Sequence, residues 1–181
     1  MAINNTQIKK WNETFKKASK PEKKILIAKD VLANIKSKKY NPEKGNYIAY
    51  LDGNYNDNDD VQKNLDKLEN CECCALGACL ISSTKYQNKL TFDDLKDVSS
   101  CSDNFWKQLE KIFTPREMAI MEYCFEGNEG SKVAEDNFNY DLDEKTMKKC
   151  ENFYYDYCYD STQRLVAICK NIIKNKGFIK I

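Results

Sequence analysis

One stretch decides the fold of this chain: Cys71-Glu72-Cys73-Cys74-Ala75-Leu76-Gly77-Ala78-Cys79-Leu80-Ile81-Ser82-Ser83-Thr84. Its part from residue 73 to 84 carries no charge and is the least polar segment of the sequence. A helix that is apolar nearly all round is buried on every side. Ala75, Gly77, Ala78 and Ser82 are small enough to let neighbouring helices approach closely. We therefore predict a central, buried helix over residues 73–84.

Amphipathic helices are predicted on both sides of this segment. Upstream, residues 4–18 have the three-four spacing of a helix, and a second helix begins at Pro21 with Ser19 as its N-cap and ends near Lys38. Downstream, Thr114-Pro115-Arg116-Glu117 combines a capping box with proline in the first turn, which is a strong helix start. These segments would enclose the apolar helix.

The remaining segments give less uniform signals. Residues 39–60 mix tyrosines with Asn, Pro, Gly and Asp, which is typical of an irregular or short β segment. A helix is predicted from Asp60 to Glu69. From Asp143 to a C-cap signal at Gly177, the pattern fits either one long helix or two helices with a break near Asp160.

These patterns predict a mainly α fold, a compact helical bundle in a single domain over residues 1–181. The bundle would have about six or seven helices, with the short irregular or β segment near residues 40–56. Residues 1–40 form its basic helical N-terminal part, and residues 60–181 form its helical core.

Composition excludes several classes of chemistry. The chain has 181 residues and no histidine, so mechanisms that need an imidazole are excluded. Nucleotide-binding and hydrolase motifs such as Walker A and G-x-S-x-G are absent. Net charge is +1, but residues 1–40 hold 11 lysines against three acidic residues. That basic segment could complement the acidic middle of the chain or bind phosphate groups of a partner.

Nine cysteines are the other unusual feature of the composition. The N-terminus has no apolar signal-peptide core, so we expect a cytoplasmic protein with reduced cysteines. Four of them, Cys71, Cys73, Cys74 and Cys79, could in principle hold zinc or an iron–sulfur cluster. The spacing C-x-C-C-x4-C argues against a metal site, because Cys74 and Cys79 would lie on different faces of one helix.

We therefore interpret most cysteines as small buried hydrophobes. Only Cys71 and Cys73, which lie outside the strongest helical pattern, remain candidates for a reactive or metal-binding role. Paired carboxylates such as Asp93-Asp94 and Asp143-Glu144 are explained by the positive ends of helix dipoles. We predict no catalytic residue, no metal ligand and no cofactor.

Tyrosines occur in two groups, and each group could pack internally or form a binding surface. The first group lies in the irregular segment and the second in one predicted helix: Tyr40, Tyr47, Tyr50 and Tyr55; Tyr154, Tyr155, Tyr157 and Tyr159. Tyrosines on several faces of a helix cannot all enter one core. Tyrosine is enriched at protein interfaces, and aromatics interleaved with lysine can also stack on nucleic-acid bases.

The segment Cys71-Glu72-Cys73-Cys74-Ala75-Leu76-Gly77-Ala78 resembles small uncharacterised proteins of phages and bacteria that carry a C-A-L-G-A helix. The similarity extends loosely to residues 28–32 and to residues 165–177. The resemblance implies a compact helical fold and a phage origin. It implies no activity and no catalytic residue.

These observations together predict a non-enzymatic interaction protein that is phage-encoded, acts in the host cytoplasm and binds a host or phage protein. A virion component, such as a small helical connector or a capsid-associated protein, is the first alternative. A nucleotide- or nucleic-acid-binding module that uses the lysine-rich N-terminal segment is the second. Neither membrane insertion nor a particular oligomeric state is indicated by the sequence.

Overall fold

The structure is a computed structural model that describes residues 4–45, 47–86, 90–96, 103–127, 142–157 and 160–181. These parts of the chain contain nine α-helices and three strands. The first half holds α1 (Asn5–Lys17), α2 (Lys20–Lys36), β1 (Tyr40–Pro42), β2 (Ile48–Gly53), α3 (Val61–Asn64), β3 (Leu68–Cys73) and α4 (Ala75–Thr84). The second half holds α5 (Phe92–Lys96), α6 (Asp103–Glu110), α7 (Pro115–Glu126), α8 (Glu144–Asp156) and α9 (Ser161–Lys174). The prediction of a mainly helical fold is confirmed, although the helices outnumber the six or seven expected.

A small mixed sheet leads directly into the central helix. Its strand order is β1-β3-β2, with β3 parallel to β1 and antiparallel to β2. Tyr40 and Leu51 flank Cys71 in the register. The sheet confirms the predicted β segment near residues 40–56. The first two residues of the central strand, Leu68 and Glu69, were predicted as the end of a helix over residues 60–69, and its last residue, Cys73, was predicted as the start of the central helix. Both predictions are wrong at these residues.

Helix α4 is the centre of the molecule, as predicted. All ten of its residues are buried, and it contacts α2, α6 and α7. A buried helix must satisfy its own polar groups. Ser83 Oγ and Thr84 Oγ1 do so by donating to carbonyls of the preceding turn, at 2.7 and 2.6 Å. The Ser82 hydroxyl instead lies 3.1 Å from the buried Tyr40 hydroxyl.

The N-terminal helices confirm the predicted bounds to within about two residues, the usual uncertainty of helix ends. Asn4 caps α1, and Ser19 forms a capping box with Glu22 at the start of α2. Helix α2 also contributes two buried charges to the core. Lys24 pairs with Glu117 of α7, and Asp30 pairs with Lys85 just beyond α4.

The C-terminal part consists of two helices, which resolves the alternatives left by the sequence. Helix α8 ends at Asp156, and α9 begins at Ser161 with the Asp160 side chain as its cap. The break near Asp160 is therefore confirmed. Helix α8 packs on α7, while α9 packs on both α2 and α7.

The start of α7 provides a test of local helix stability. Thr114 Oγ1 accepts the Glu117 N–H at 3.2 Å, and Glu117 Oε2 accepts the Thr114 N–H at 2.9 Å. Thr114→Ala removes the first of these bonds, and we expect it to lower the free energy of unfolding by about 1 kcal/mol. Thr14→Ala is the matched control, because Thr14 lies within α1 and its hydroxyl donates to the Lys10 carbonyl of its own helix. Urea unfolding measures both, and equal stability of the two variants would contradict the prediction.

Candidate functional site

The cysteines described by the structure are core residues. Seven positions, Cys71, Cys73, Cys74, Cys79, Cys124, Cys150 and Cys169, are buried free thiols. The other two, Cys101 and Cys158, lie outside the described residues. Burial supports the interpretation of cysteine as a small hydrophobe. Cys71 and Cys73, which the sequence left as candidates for chemistry, are both fully buried in the central strand.

The four clustered cysteines do not converge on one point. Within the described parts of the chain, the one group of three potential metal ligands is Cys74 with Glu122 and Glu126. Cys71, Cys73 and Cys79 are not part of it. We refer to Cys74, Glu122 and Glu126 as the Cys74 cluster.

Two helices build the Cys74 cluster. Cys74 is the N-cap residue of α4, directly after β3. Glu122 and Glu126 lie four residues apart on α7, a spacing that puts both side chains on one helix face. The Sγ atom of Cys74 lies 3.6 Å from Oε1 of Glu122, and one ligand atom from each of the three residues lies within 4.8 Å of the others. The three residues are only 1%, 2% and 6% exposed.

The segment between β1 and β2 covers one side of the cluster. The Gly45 N–H donates to Oε2 of Glu126 at 3.1 Å, and the Tyr47 carbonyl accepts the Cys74 N–H at 3.1 Å. Lys44 reaches the Tyr154 hydroxyl on α8 at 3.1 Å. Two carboxylates in the core thus lie beside a loop that presents a backbone N–H to one of them.

Burial dominates the protonation behaviour of the cluster. It raises the pKa of Glu122 to about 8, and the nearby Glu126 adds to that rise. Burial is also the main cause that raises the pKa of the Cys74 thiol well above its ordinary value, and the negative charges of Glu122 and Glu126 add to it. A hydrogen bond from the Gly77 N–H lowers this pKa. Below about pH 8, the Glu122 carboxyl group is therefore protonated, and it can donate as well as accept hydrogen bonds.

The sequence contained a signal for this cluster that the predictions did not use. From residue 118 onward, helix α7 reads Met118-Ala119-Ile120-Met121-Glu122-Tyr123-Cys124-Phe125-Glu126, so its two later glutamates interrupt an otherwise largely apolar segment. The carboxylate pairs considered from the sequence were those at helix starts. Two glutamates at positions i and i+4 of an apolar helix are a better indicator of a buried polar site.

A surface groove between α8 and α9 is the second candidate site. It has a volume of about 370 Å³. Aromatic and aliphatic side chains form its apolar part, and polar and basic side chains form the rest: Phe153, Tyr157, Val166 and Ala167; Thr162, Gln163, Lys170, Asn171 and Lys174. We refer to it as the α8–α9 groove. Tyr155 and Tyr157 nearby are 58% and 36% exposed.

The two tyrosine groups differ in their exposure. In the first group, Tyr40 is buried and Tyr55 stacks on Phe92 at 3.7 Å between ring centroids, whereas Tyr50 is exposed. In the second group, Tyr154 is half-buried between Lys44 and Arg164, and Tyr159 lies outside the described residues. Most of the first group is therefore packed into the fold, while in the second group Tyr157 lines the α8–α9 groove.

The lysine-rich N-terminal part is also divided between structural and exposed positions. Lys24 is buried in its ion pair with Glu117, and Lys39 donates to the Leu65 carbonyl at 3.3 Å. Lysines on the outer surface of α1 remain exposed: Lys9, Lys10, Lys16 and Lys17.

No family model, curated protein or solved structure matches this chain. Across the residues that the structure describes, none of the helices has both the length and the apolar character required to span a bilayer.

Proposed function

We propose that the protein is a non-enzymatic protein-binding module and that the α8–α9 groove is its docking surface. The observation that carries this proposal is the composition of the groove. Phe153, Tyr157 and Val166 give it an apolar part, and Lys170 and Lys174 give it positive charge. Aromatic side chains next to a polar rim are the usual composition of a protein interface.

The groove fits an amphipathic segment that carries acidic residues beside its apolar side chains. Lys170 and Lys174 are exposed and lie one helical turn apart on α9, so both can pair with acidic residues of a bound segment. The apolar part would receive the hydrophobic side chains of the same segment. The partner we propose is a host or phage protein, in line with the phage origin that the C-A-L-G-A resemblance implies.

A pair of alanine-to-glutamate variants tests the groove. Ala167 lines it, so Ala167→Glu places a negative charge and extra volume at the docking surface. Ala33 is exposed on α2 and does not line the groove, so Ala33→Glu is a control with the same chemical change in a helix. We expect Ala167→Glu to weaken partner binding at least tenfold and Ala33→Glu to leave it unchanged.

The measurement begins with affinity capture from the native host by the full-length protein. The captured protein is then purified, and its dissociation constant is measured with each variant. Equal binding by Ala167→Glu and Ala33→Glu would overturn the groove assignment. Capture of nucleic acid that is released by moderate salt would instead favour the exposed lysines of α1 as the binding surface. Recovery of the protein in purified particles would favour the virion alternative.

A further inference from the structure

We propose that the Cys74 cluster is a binding site for a divalent transition-metal ion, with zinc as the best-fitting ion. Cys74 would provide a sulfur ligand, and Glu122 and Glu126 would each provide an oxygen ligand. This site is separate from the α8–α9 groove, and the proposal does not depend on the docking function.

The first argument is the distance between the ligand atoms. In a tetrahedral zinc site with Zn–S of about 2.3 Å and Zn–O of about 2.0 Å, a sulfur and an oxygen ligand are roughly 3.5 Å apart. Cys74 Sγ and Glu122 Oε1 are 3.6 Å apart. That pair already has the spacing of one edge of a zinc tetrahedron. Glu126 completes a group in which all ligand atoms lie within 4.8 Å of one another.

The second argument is that the Glu122 carboxyl group lacks enough partners. It is 98% buried, since only 2% of the residue is exposed. Its one side-chain hydrogen bond among the described residues comes from the Cys74 thiol to Oε1, and Oε2 receives none there. A carboxylate in a largely buried residue is costly unless it is paired, and buried charges are normally paired or coordinate a metal. A cation between Cys74 and α7 would use this oxygen or its neighbour.

The third argument concerns charge. Two glutamates and a thiol share a space from which water is largely excluded, and the neutral Gly45 N–H donates to one oxygen of Glu126. The N-terminal end of α4 adds a partial positive charge at Cys74. A divalent ion would neutralise most of the negative charge that the three deprotonated ligands carry. Its binding would displace the thiol proton and the proton of any protonated carboxyl group to solvent.

The ligand set selects among metal ions. Thiolate is a soft ligand that magnesium and calcium disfavour, whereas carboxylate oxygen is hard. Zinc accepts both, and three protein ligands leave its fourth tetrahedral position to water or to an external donor. The proposed site therefore has three protein ligands and one open coordination position. It differs from a site closed by four cysteines, which the spacing of the cysteines in the sequence disfavoured.

Zinc binding to the full-length protein tests the proposal. Protein purified with a thiol reductant is stripped with a chelator and titrated with Zn²⁺ alone in competition with a chromophoric chelator. We expect one Zn²⁺ per chain. Titration with Co²⁺ should give the near-ultraviolet charge-transfer band of a single cobalt–thiolate bond.

Three variants locate the site. Cys74→Ser and Glu122→Gln should each lower zinc affinity at least 100-fold, whereas Cys169→Ser should leave it unchanged. Cys169 is a matched control, because it is also a fully buried thiol but lies on α9 outside the cluster. Glu122→Gln preserves side-chain shape, so its circular dichroism and urea unfolding show whether a loss of zinc reflects a loss of fold.

Two results would overturn the proposal. The first is a folded wild-type protein that binds no zinc at micromolar concentrations. The second is zinc binding, or a cobalt–thiolate band, that persists in Cys74→Ser and disappears when Cys71 and Cys73 are both replaced by serine.

Discussion

An alanine at position 77 is expected to lower the free energy of unfolding by about 3 kcal/mol or more, although alanine is the better helix former. A Cβ atom on Gly77 would lie 1.7 Å from the Tyr47 carbonyl oxygen and 2.6 Å from its carbon. Both are backbone atoms, so rotation of a side chain cannot relieve the overlap. Either α4 or the segment between β1 and β2 must move.

That movement would break contacts on both sides of the junction. The Tyr47 carbonyl accepts the Cys74 N–H at the start of α4, and Gly45 in the same segment donates to Glu126. Helix propensity works in the opposite direction, because alanine within a helix gains about 1 kcal/mol over glycine. The steric overlap is larger than this gain, so the net effect is destabilising.

Urea unfolding followed by circular dichroism measures the effect. Ala33→Gly on the exposed face of α2 isolates the propensity difference, and we expect it to cost about 1 kcal/mol. If Gly77→Ala is as stable as the wild type or more stable, the segment around Tyr47 does not pack against α4.

Local signals made much of the helical fold predictable. The apolar run from Cys73 to Thr84 predicted the central helix, because a helix that is apolar nearly all round is buried on every side, although the helix begins only at Ala75. Capping chemistry predicted the starts of α2 and α7, since those hydrogen bonds involve residues only three positions apart. Each of these features depends on neighbours in the sequence.

Strand β3 was not predictable in the same way. Val61, Leu65 and Leu68 have helical spacing, and α3 does use the first part of this pattern. From Leu68 onward the chain becomes a strand because β1 and β2 offer it hydrogen-bonding partners on both edges. Tertiary pairing of this kind overrides local propensity, and the partner strands come from up to 31 residues earlier in the chain, as in the Tyr40–Cys71 register.

The Cys74 cluster was missed for a related reason. Cys74 and Glu122 are 48 positions apart, and only the packing of α4 on α7 brings them together. Glutamate is rarely buried, so sequence reasoning assigns it to the surface by default. Buried titratable groups such as Glu122 are where local rules and the final structure are expected to disagree.

The metal-free protein should lose stability as the pH rises from about 4.5 to about 8. The pKa of Glu122 is about 8 in the folded protein, against 4.5 for an ordinary glutamate. Between these values the folded state holds a proton that the unfolded state has released. Stability therefore falls with rising pH across this window. Below about pH 4.5, Glu122 is protonated in both the folded and the unfolded state, and its burial carries no penalty for an ionised carboxylate. Above about pH 8, the carboxylate is ionised in both states, and the full penalty of burying its charge lowers the free energy of unfolding.

Glu122→Gln should remove this penalty. A shift from 4.5 to about 8 corresponds to roughly 3–5 kcal/mol at pH 9, so the variant should be more stable than the wild type there by about that amount. At pH 4 the two should be similar. Glu144→Gln, which alters an exposed carboxylate at the start of α8, is the control and should show no such difference. Parallel stability curves for the wild type and Glu122→Gln between pH 5 and 9 would refute the prediction.

Zinc should reverse the slope of this pH dependence. With the ion bound, Cys74 is a thiolate and Glu122 a carboxylate, so the folded state holds fewer protons than the unfolded state, in which the thiol stays protonated up to about pH 8.5. Stability of the zinc-loaded wild type should then rise with pH over the window in which the metal-free protein loses stability. Because Glu122→Gln lacks the carboxylate ligand, we expect its stability curve to be nearly the same with and without zinc. A sign change in the wild type that is absent from this variant would link the buried carboxyl group to the metal by a measurement that requires no knowledge of the binding partner.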